Sequence, residues 1–378
     1  MEHNDLVSIR TGIDMRLHAY APGGISRYAR RLARAIARFF APGSLRLIHH
    51  RRDTVYLDLP GAHSYAAWTP PHHMLERWTL GTELLPFKLD IFHATDFIPP
   101  AWGARHMVVT IHDLNFLYYP QYLTDSARRY YNDQINWAVD HADAIIVDSA
   151  ATRDDLRIKL GVPEGHMTVV HLAADARFTK LPEEDVSVVL QHYGLRAGYV
   201  LFVGTWEPRK NLPGLLEAFA QVRAGREDPI LVIAGRPGWL YEDIYQRIQA
   251  LHLEASVRFI KQPSPAHLVA LYNGASVLIL PSFYEGFGLP VLEAMQCGTP
   301  VIASNRACLP EVVGQAGLLF DPDDTAALAE GLRRILHDAS LRQELIHRGL
   351  ERVQRFSWET SARQTLQVYK RVVRDVSH

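Results

Sequence analysis

Val277-Leu-Ile-Leu-Pro-Ser-Phe-Tyr-Glu-Gly-Phe-Gly-Leu-Pro-Val-Leu-Glu-Ala-Met295 reads as a strand, a glycine-bearing loop and the opening of a helix. The apolar run 277–280 suits a strand covered on both faces. Pro290 fits the first turn of a helix, where its missing N–H costs nothing. A strand that feeds a helix through such a loop is the repeating unit of an open parallel sheet, and these sheets bind ligands beyond the carboxyl ends of their strands.

The same alternation continues outward in both directions. Apolar runs at 199–203, 230–234, 257–260 and 300–303 are each followed by a helical or turn pattern. Earlier in the chain, strands are expected at 7–14, 90–93, 106–111 and 144–148, with helices at about 25–40, 122–141 and 150–160. Two βαβ series are therefore present, and 378 residues suffice for two such domains, each with its own core. The stretch 172–196 lacks a long apolar run, so the boundary falls there. The expected division is 1–180 for the N-terminal domain and 181–356 for the C-terminal one. The remainder, 357–378, carries a final helix at 360–376, expected to pack back on the N-terminal domain.

Composition excludes several classes. Lys and Arg total 40 against 41 Asp and Glu, so no global field points to nucleic acid. The two cysteines, Cys297 and Cys308, are too few for a disulfide scaffold or a cysteine zinc site, and they fit a reducing cytoplasm. No apolar run approaches the ~18 residues of a membrane span, and the first residues lack the pattern of a signal peptide.

Within the opening stretch, Glu285 and Glu293 flank Gly286 and Gly288. Glycines let backbone N–H groups approach a ligand closely, and a helix N-terminus favours an anion. A diphosphate fits that environment, and Glu293 on the helix has the chemistry to accept hydrogen bonds from a ribose. Alone, each glutamate has a plainer reading: Glu293 complements the helix dipole, and Glu285 is a solvated loop residue. A second segment, Gly204-Thr-Trp-Glu-Pro-Arg-Lys-Asn-Leu212, follows the strand 199–203. Arg209 and Lys210 lie just before a helix, where a forked guanidinium and an ammonium can neutralise phosphate oxygens.

These two segments resemble glycosyltransferase family 4, the retaining enzymes of the GT-B fold. The family's Glu-x7-Glu signature is matched by Glu285 and Glu293, and its Gly-x4-Arg-Lys-Asn element by Gly204 through Asn211. The resemblance extends through Thr299-Pro-Val-Ile-Ala-Ser304, Gly317-Leu-Leu-Phe-Asp-Pro322 and Phe356-Ser-Trp358, and covers nearly all of 195–370. It implies two Rossmann-like, doubly wound α/β domains facing across a cleft. It further implies that Gly286, Phe287, Gly288 and Leu289 contact the donor between Glu285 and Glu293. In the weaker N-terminal match, Gly23 and Gly24 resemble the family's glycine turn, and Thr110-Ile-His-Asp113 resembles its strand-end histidine. His112 and Asp113 are thereby candidates for handling the acceptor proton. One departure is that some relatives carry an arginine directly after the first glycine of the phosphate loop, where this chain has Thr205. Arg209 and Lys210 are left as the main diphosphate cations.

The resemblance implies transfer of a hexose from a nucleoside diphosphate sugar, with retention and without a covalent protein intermediate. The chain looks most like bacterial mannosyltransferases of surface glycan synthesis, so GDP-mannose and a glycan or lipid-linked acceptor are the expected partners, with UDP-glucose as the alternative donor. A sugar-nucleotide epimerase and a silent sugar-nucleotide-binding protein stay open. A nicotinamide oxidoreductase is disfavoured, because no Gly-x-Gly-x-x-Gly follows the first strand. No metal or other cofactor is expected. Asp321-Pro-Asp323 has the Asp-x-Asp pattern of a metal site, but Asp323 or Asp324 reads better as a helix N-cap.

Finally, Arg27, Arg30, Arg31, Arg34 and Arg38 form a basic stripe on the first helix with no acidic residue among them. The stripe is either a solvated face or a peripheral contact with anionic membrane, to which Trp68 and Trp78 could add an interfacial anchor.

Overall fold

The computed structural model describes residues 6–20, 23–223, 229–238 and 242–374. The chain divides into two compact units: Met1–Leu172 with Trp358–His378, and Ala173–Ser357. Strands of the first unit are β1 Thr11–Asp14, β2 Leu45–His50, β3 Ala62–Ala67, β4 Leu89–Ala94, β5 Ala104–Ile111, β6 Ala144–Val147 and β7 Met167–Val169. Those of the second are β8 Tyr199–Trp206, β9 Leu231–Pro237, β10 Val257–Lys261, β11 Ala275–Leu280, β12 Val301–Ser304 and β13 Leu318–Phe320.

Every registered pair is parallel. The first sheet runs β3-β2-β1-β4-β5-β6-β7 and the second β10-β9-β8-β11-β12-β13. In each, the order reverses beside the unit's first strand, giving a topological switch point between β1 and β4 and another between β8 and β11. The central strands are buried on both faces, as the unbroken run Val277–Leu280 requires. Each of those side chains contributes about 1.5–3 kcal/mol by leaving water.

Among the elements that went unread in the sequence are three strands and a helix of the first unit. In β2, His49 and His50 are buried polar residues that break the apolar run, and β3 is an edge strand most of whose residues are not fully buried. β7 is only a three-residue strand, and the helix Glu76–Leu84 buries Glu76 and Arg77 along with its leucines. The expected strand 7–14 is confined to Thr11–Asp14, while Val7 makes an isolated bridge to Phe40.

The boundary expected at 180 moves to 172. Residues 173–180 belong to the second unit because Phe178 packs edge-on against Tyr272 at 5.6 Å. Asn273 also holds this segment, accepting the Leu181 N–H and donating to the Thr179 carbonyl. The last helix, Trp358–Arg374, lies in the first unit, and residues 375–376 of its expected span lie outside the described residues. There Ala362, Leu366, Tyr369 and Val372 join the core that the helix Gly24–Ala37 forms with the first sheet. His93, buried in β4, bridges Tyr369 Oη and Thr110 Oγ1, both at 2.7 Å. Burial pushes its pKa down to about 3, so it serves as a neutral linker.

The arginine stripe does meet an acid. Arg38 pairs with Glu359 of the last helix at 2.9 Å, and Arg30 donates to the Val55 carbonyl. Among the described residues no helix is long and apolar enough to cross a membrane.

Candidate active site

β8 and β11 are neighbours at the switch point of the second sheet, so the loops that follow them open side by side. After β8 the chain makes a 3-10 turn, Pro208–Lys210, ended by Asn211 in the left-handed region at φ 53°. The Asn211 side chain supports that conformation from two sides: its Oδ1 accepts the Gly214 N–H, and its Nδ2 donates to the Pro322 carbonyl. The turn brings Arg209 and Lys210 to the β11 loop, and the Phe283 N–H donates to the Arg209 carbonyl at 2.8 Å, joining the two loops through backbone.

Glu285 is the centre of this junction. Lys210 Nζ donates to its Oε1 at 2.5 Å, Ser282 Oγ to the same oxygen at 2.6 Å, and Arg209 Nη1 to Oε2 at 3.1 Å. Arg209 also donates to the Tyr284 carbonyl and pairs with Glu207 at 2.7 Å. All these groups are largely buried. Burial works against the Glu285 charge, yet Lys210, Arg209 and the Ser282 hydroxyl together hold its pKa at about 2. Burial, reinforced by Arg209, lowers that of Lys210 despite the facing carboxylate. The result is a desolvated set of two cations and two carboxylates, whose attractions are far stronger than on the surface.

Gly288 precedes the helix Leu289–Gln296 at φ 85°, a left-handed conformation in which any side chain would be strained, and a Cβ there would also press on Leu309 Cδ2 at 2.7 Å. Phe287 is buried against Phe356, while Gly286 and Leu289 remain half-buried beside the helix opening. Glu293 is the fifth helical residue, in the second turn rather than the first, and its Oε2 accepts the Tyr272 hydroxyl at 2.8 Å. Thr205 stands beside Arg236 of β9, whose Nε donates to Thr205 Oγ1 at 3.4 Å.

In the first unit the candidate side chains converge from separate strand ends. His112, just past β5, places Nδ1 2.6 Å from Asp148 Oδ2 and Nε2 3.0 Å from the Thr95 carbonyl. Burial opposes both charges of the pair. The carbonyl can only accept, and with Asp148 it tips the ring toward imidazolium, raising its pKa to about 9. The ring then has no free lone pair, and it presents a fixed positive charge. Asp113 is half-buried and caps the turn Asn115–Tyr118 by accepting the Asn115 N–H. Gly23 donates to Ser26 Oγ at the start of the helix Gly24–Ala37, and a Cβ on Gly24 would meet nothing within 4 Å. Tyr28 of that helix packs edge-on against His112 at 4.7 Å, joining the glycine turn to the histidine.

The structure thus brings together Arg209, Lys210 and Glu285, and gives Glu293 a different anchor. Sequence reasoning missed Glu207, Ser282, Tyr272, Thr95 and Asp148. Glu207 and Ser282 lay inside the motif segments, and Asp148 closes a readable strand. Tyr272 and Thr95 carried no signal of their own. Asp321 and Asp323 both pair with Arg306, and Asp324 caps the helix Thr325–His337 by accepting the Ala327 N–H. Among the described residues no group of three or more His, Cys, Asp or Glu side chains is arranged to hold a metal ion.

Comparison with known proteins fits this geometry. Residues 195–352 match the model of glycosyl transferases group 1, and residues 22–178 that of Glycosyltransferase Family 4. O-antigen chain mannosyltransferase B of Escherichia coli is 35% identical over 301 residues, covering 79% of this chain and 78% of that one. D-inositol 3-phosphate glycosyltransferase of Corynebacterium urealyticum is 31% identical over 71% of this chain and 66% of its own. Among solved structures, sucrose-phosphate synthase from Thermosynechococcus elongatus superposes with a TM-score of 0.76 at 24% identity, over 96% of this chain and 98% of that one. A glycosyltransferase involved in lipopolysaccharide biosynthesis superposes with a TM-score of 0.73 at 16% identity, over 95% and 99%. With two all-parallel sheets and a charged junction at the switch point of the second, the chain belongs to glycosyltransferase family 4 and is a GT-B hexosyltransferase that uses a nucleoside diphosphate sugar.

Proposed function

We propose that the chain transfers mannose from GDP-mannose to a glycan or lipid-linked acceptor, with retention of configuration and without a metal ion. The observation that carries the reading is the buried junction of Arg209, Lys210 and Glu285 beside the glycine-led helix Leu289–Gln296. Its cations and the helix amides suit a diphosphate, whose charge grows as the anomeric carbon–oxygen bond breaks. Glu285, held by both cations, is placed to accept sugar hydroxyls. Glu293 takes the ribose. The acceptor oxygen attacks the anomeric carbon on the face that the diphosphate leaves, and its proton passes to the departing phosphate oxygen.

The choice of mannose rests on the 35% identity to O-antigen chain mannosyltransferase B. Peripheral contact with an anionic membrane at the cytoplasmic face belongs to the same reading, since it would bring a lipid-linked acceptor to the enzyme. Calorimetric titration with GDP, UDP, dTDP and ADP, followed by transfer assays with the matching sugars, tests the proposal. Preference for GDP and mannosyl transfer are expected, and preference for UDP with glucosyl transfer would replace the donor.

A further inference from the structure

Large apolar side chains are exposed close together around the helix Glu76–Leu84. Trp68 and Met74 are 65% and 77% exposed, with Leu75 and Trp78 next to them in the chain. A groove of about 520 Å³ runs here, lined by Trp68, Pro70, Leu75, Thr79, Thr82 and Glu83 among others. Most of its polar groups are already engaged, and His73, which also lines it, accepts the Leu75 N–H at Nδ1. The Thr79 and Thr82 hydroxyls donate back to the Leu75 and Trp78 carbonyls at 3.0 and 3.1 Å. The Glu83 carboxylate accepts the Trp68 and Thr69 N–H groups and the Thr69 and Tyr65 hydroxyls. A groove whose hydroxyls and carboxylate are already satisfied offers a hydrocarbon surface, and exposed apolar patches of this kind mark interaction sites.

Charge at the rim identifies the occupant. The Arg51 guanidinium lies 3.8 Å over the Trp68 ring, and exposed Arg52 follows it. Neither pairs with a carboxylate among the described residues, while the nearby Asp53 is engaged by His18. Hydrocarbon wall, tryptophans at its edge and two unpaired guanidiniums together match the interface of an anionic bilayer.

We propose that this groove seats the chain on an anionic lipid bilayer, with a lipid hydrocarbon chain along Leu75, Thr79 and Thr82 and lipid phosphate against Arg51 and Arg52. The inference rests on the membrane contact proposed above, and it places that contact on this groove rather than on the arginines of the helix Gly24–Ala37.

Co-sedimentation with vesicles of phosphatidylcholine, alone or mixed with phosphatidylglycerol, tests it on the full chain. Wild type should bind the mixed vesicles at low salt. The double variant W68S/L75S should lose about tenfold or more in partitioning, as expected for removing two large apolar side chains from a lipid contact. R51Q/R52Q should bind several-fold more weakly and lose most of its salt dependence, whereas R27Q/R34Q should bind like wild type. Because these side chains are exposed, thermal melting should be unchanged. If W68S/L75S fails to fold, quenching of wild-type tryptophan fluorescence by brominated lipid, lost in W68F/W78F, gives the same answer. Normal binding by W68S/L75S with loss in R27Q/R34Q would overturn the groove and keep the membrane contact. Failure of wild type to bind at all would overturn both. Self-association without lipid, abolished by W68S/L75S, would give the groove to a second copy of the chain.

Discussion

The two units share a strand order around their switch points, yet they assemble charge in different ways. In the second unit, Glu207, Arg209, Lys210, Ser282 and Glu285 come from two short loops after adjacent strands, and they neutralise one another in the buried junction. In the first unit, Thr95, His112 and Asp148 come from the ends of three strands, and Tyr28 from a helix. The comparison teaches that one fold can set a charge either by compact ion pairing within two loops or by convergence of single residues. In the compact arrangement the cations face the carboxylate and the leaving group alike, so deletions there should be felt in both stability and turnover.

The largest effects should therefore come from the second unit. Lys210→Ala removes the nearer of the two cations that hold the buried Glu285 carboxylate, so stability should fall by up to about 3 kcal/mol in denaturant unfolding. Lys210→Ala should also lower turnover roughly 10²–10³-fold, the usual cost of losing one donor to a developing anion. Arg209→Ala should act in the same direction, and the double variant should be less than additive in transition-state free energy because both cations serve one leaving group. Additive losses would separate the two cations and break the picture of a single junction.

A middle-sized effect distinguishes the two glutamates. Glu293→Ala should weaken binding of the free nucleoside diphosphate by about 1.5–3 kcal/mol, the typical worth of a hydrogen bond to a charged group. Glu285→Ala should spare that affinity and depress transfer. Calorimetry and a transfer assay on the same preparations make the comparison, and equal affinities in both variants and wild type would remove the assignment. Transfer should also persist in excess EDTA. Activity lost to chelation and restored by Mg²⁺ or Mn²⁺ would show that the cations do not suffice.

The smallest effect belongs to the first unit and depends on pH. His112 has a folded pKa near 9, raised from the usual 6.5. Its pair with Asp148 therefore contributes fully below about pH 6.5. The contribution is lost as pH rises through 9. The stability difference between wild type and His112→Gln should shrink over that window. A pH-independent difference would mean that the ring is neutral and that its role is packing alone.

How far the sequence could be read follows the same division. The loops after β8 and β11 were legible because glycine, arginine, lysine and glutamate sit within a few residues of one another, next to unmistakable apolar strands. What they did not disclose was that Glu285 and the two cations bind each other, since that depends on β8 and β11 being adjacent across 75 residues of chain. Thr95 and Asp148 were illegible as partners of His112 for the same reason, since that depends on β4, β5 and β6 being neighbours in the sheet. β2 escaped because His49 and His50 are buried, and the unit boundary because residues 173–180 are held by Tyr272 and Asn273 of a later helix.

The central claim is that the second unit's junction and the helix after it receive the nucleoside diphosphate. Calorimetric titration of GDP into wild type, Glu293→Ala and His112→Gln tests it most directly. The account predicts saturable binding to wild type, binding weakened about tenfold or more in Glu293→Ala, and near-wild-type affinity in His112→Gln. If GDP, UDP, dTDP and ADP all fail to bind the folded wild type, or if Glu293→Ala binds its nucleotide as tightly as wild type does, the account is contradicted.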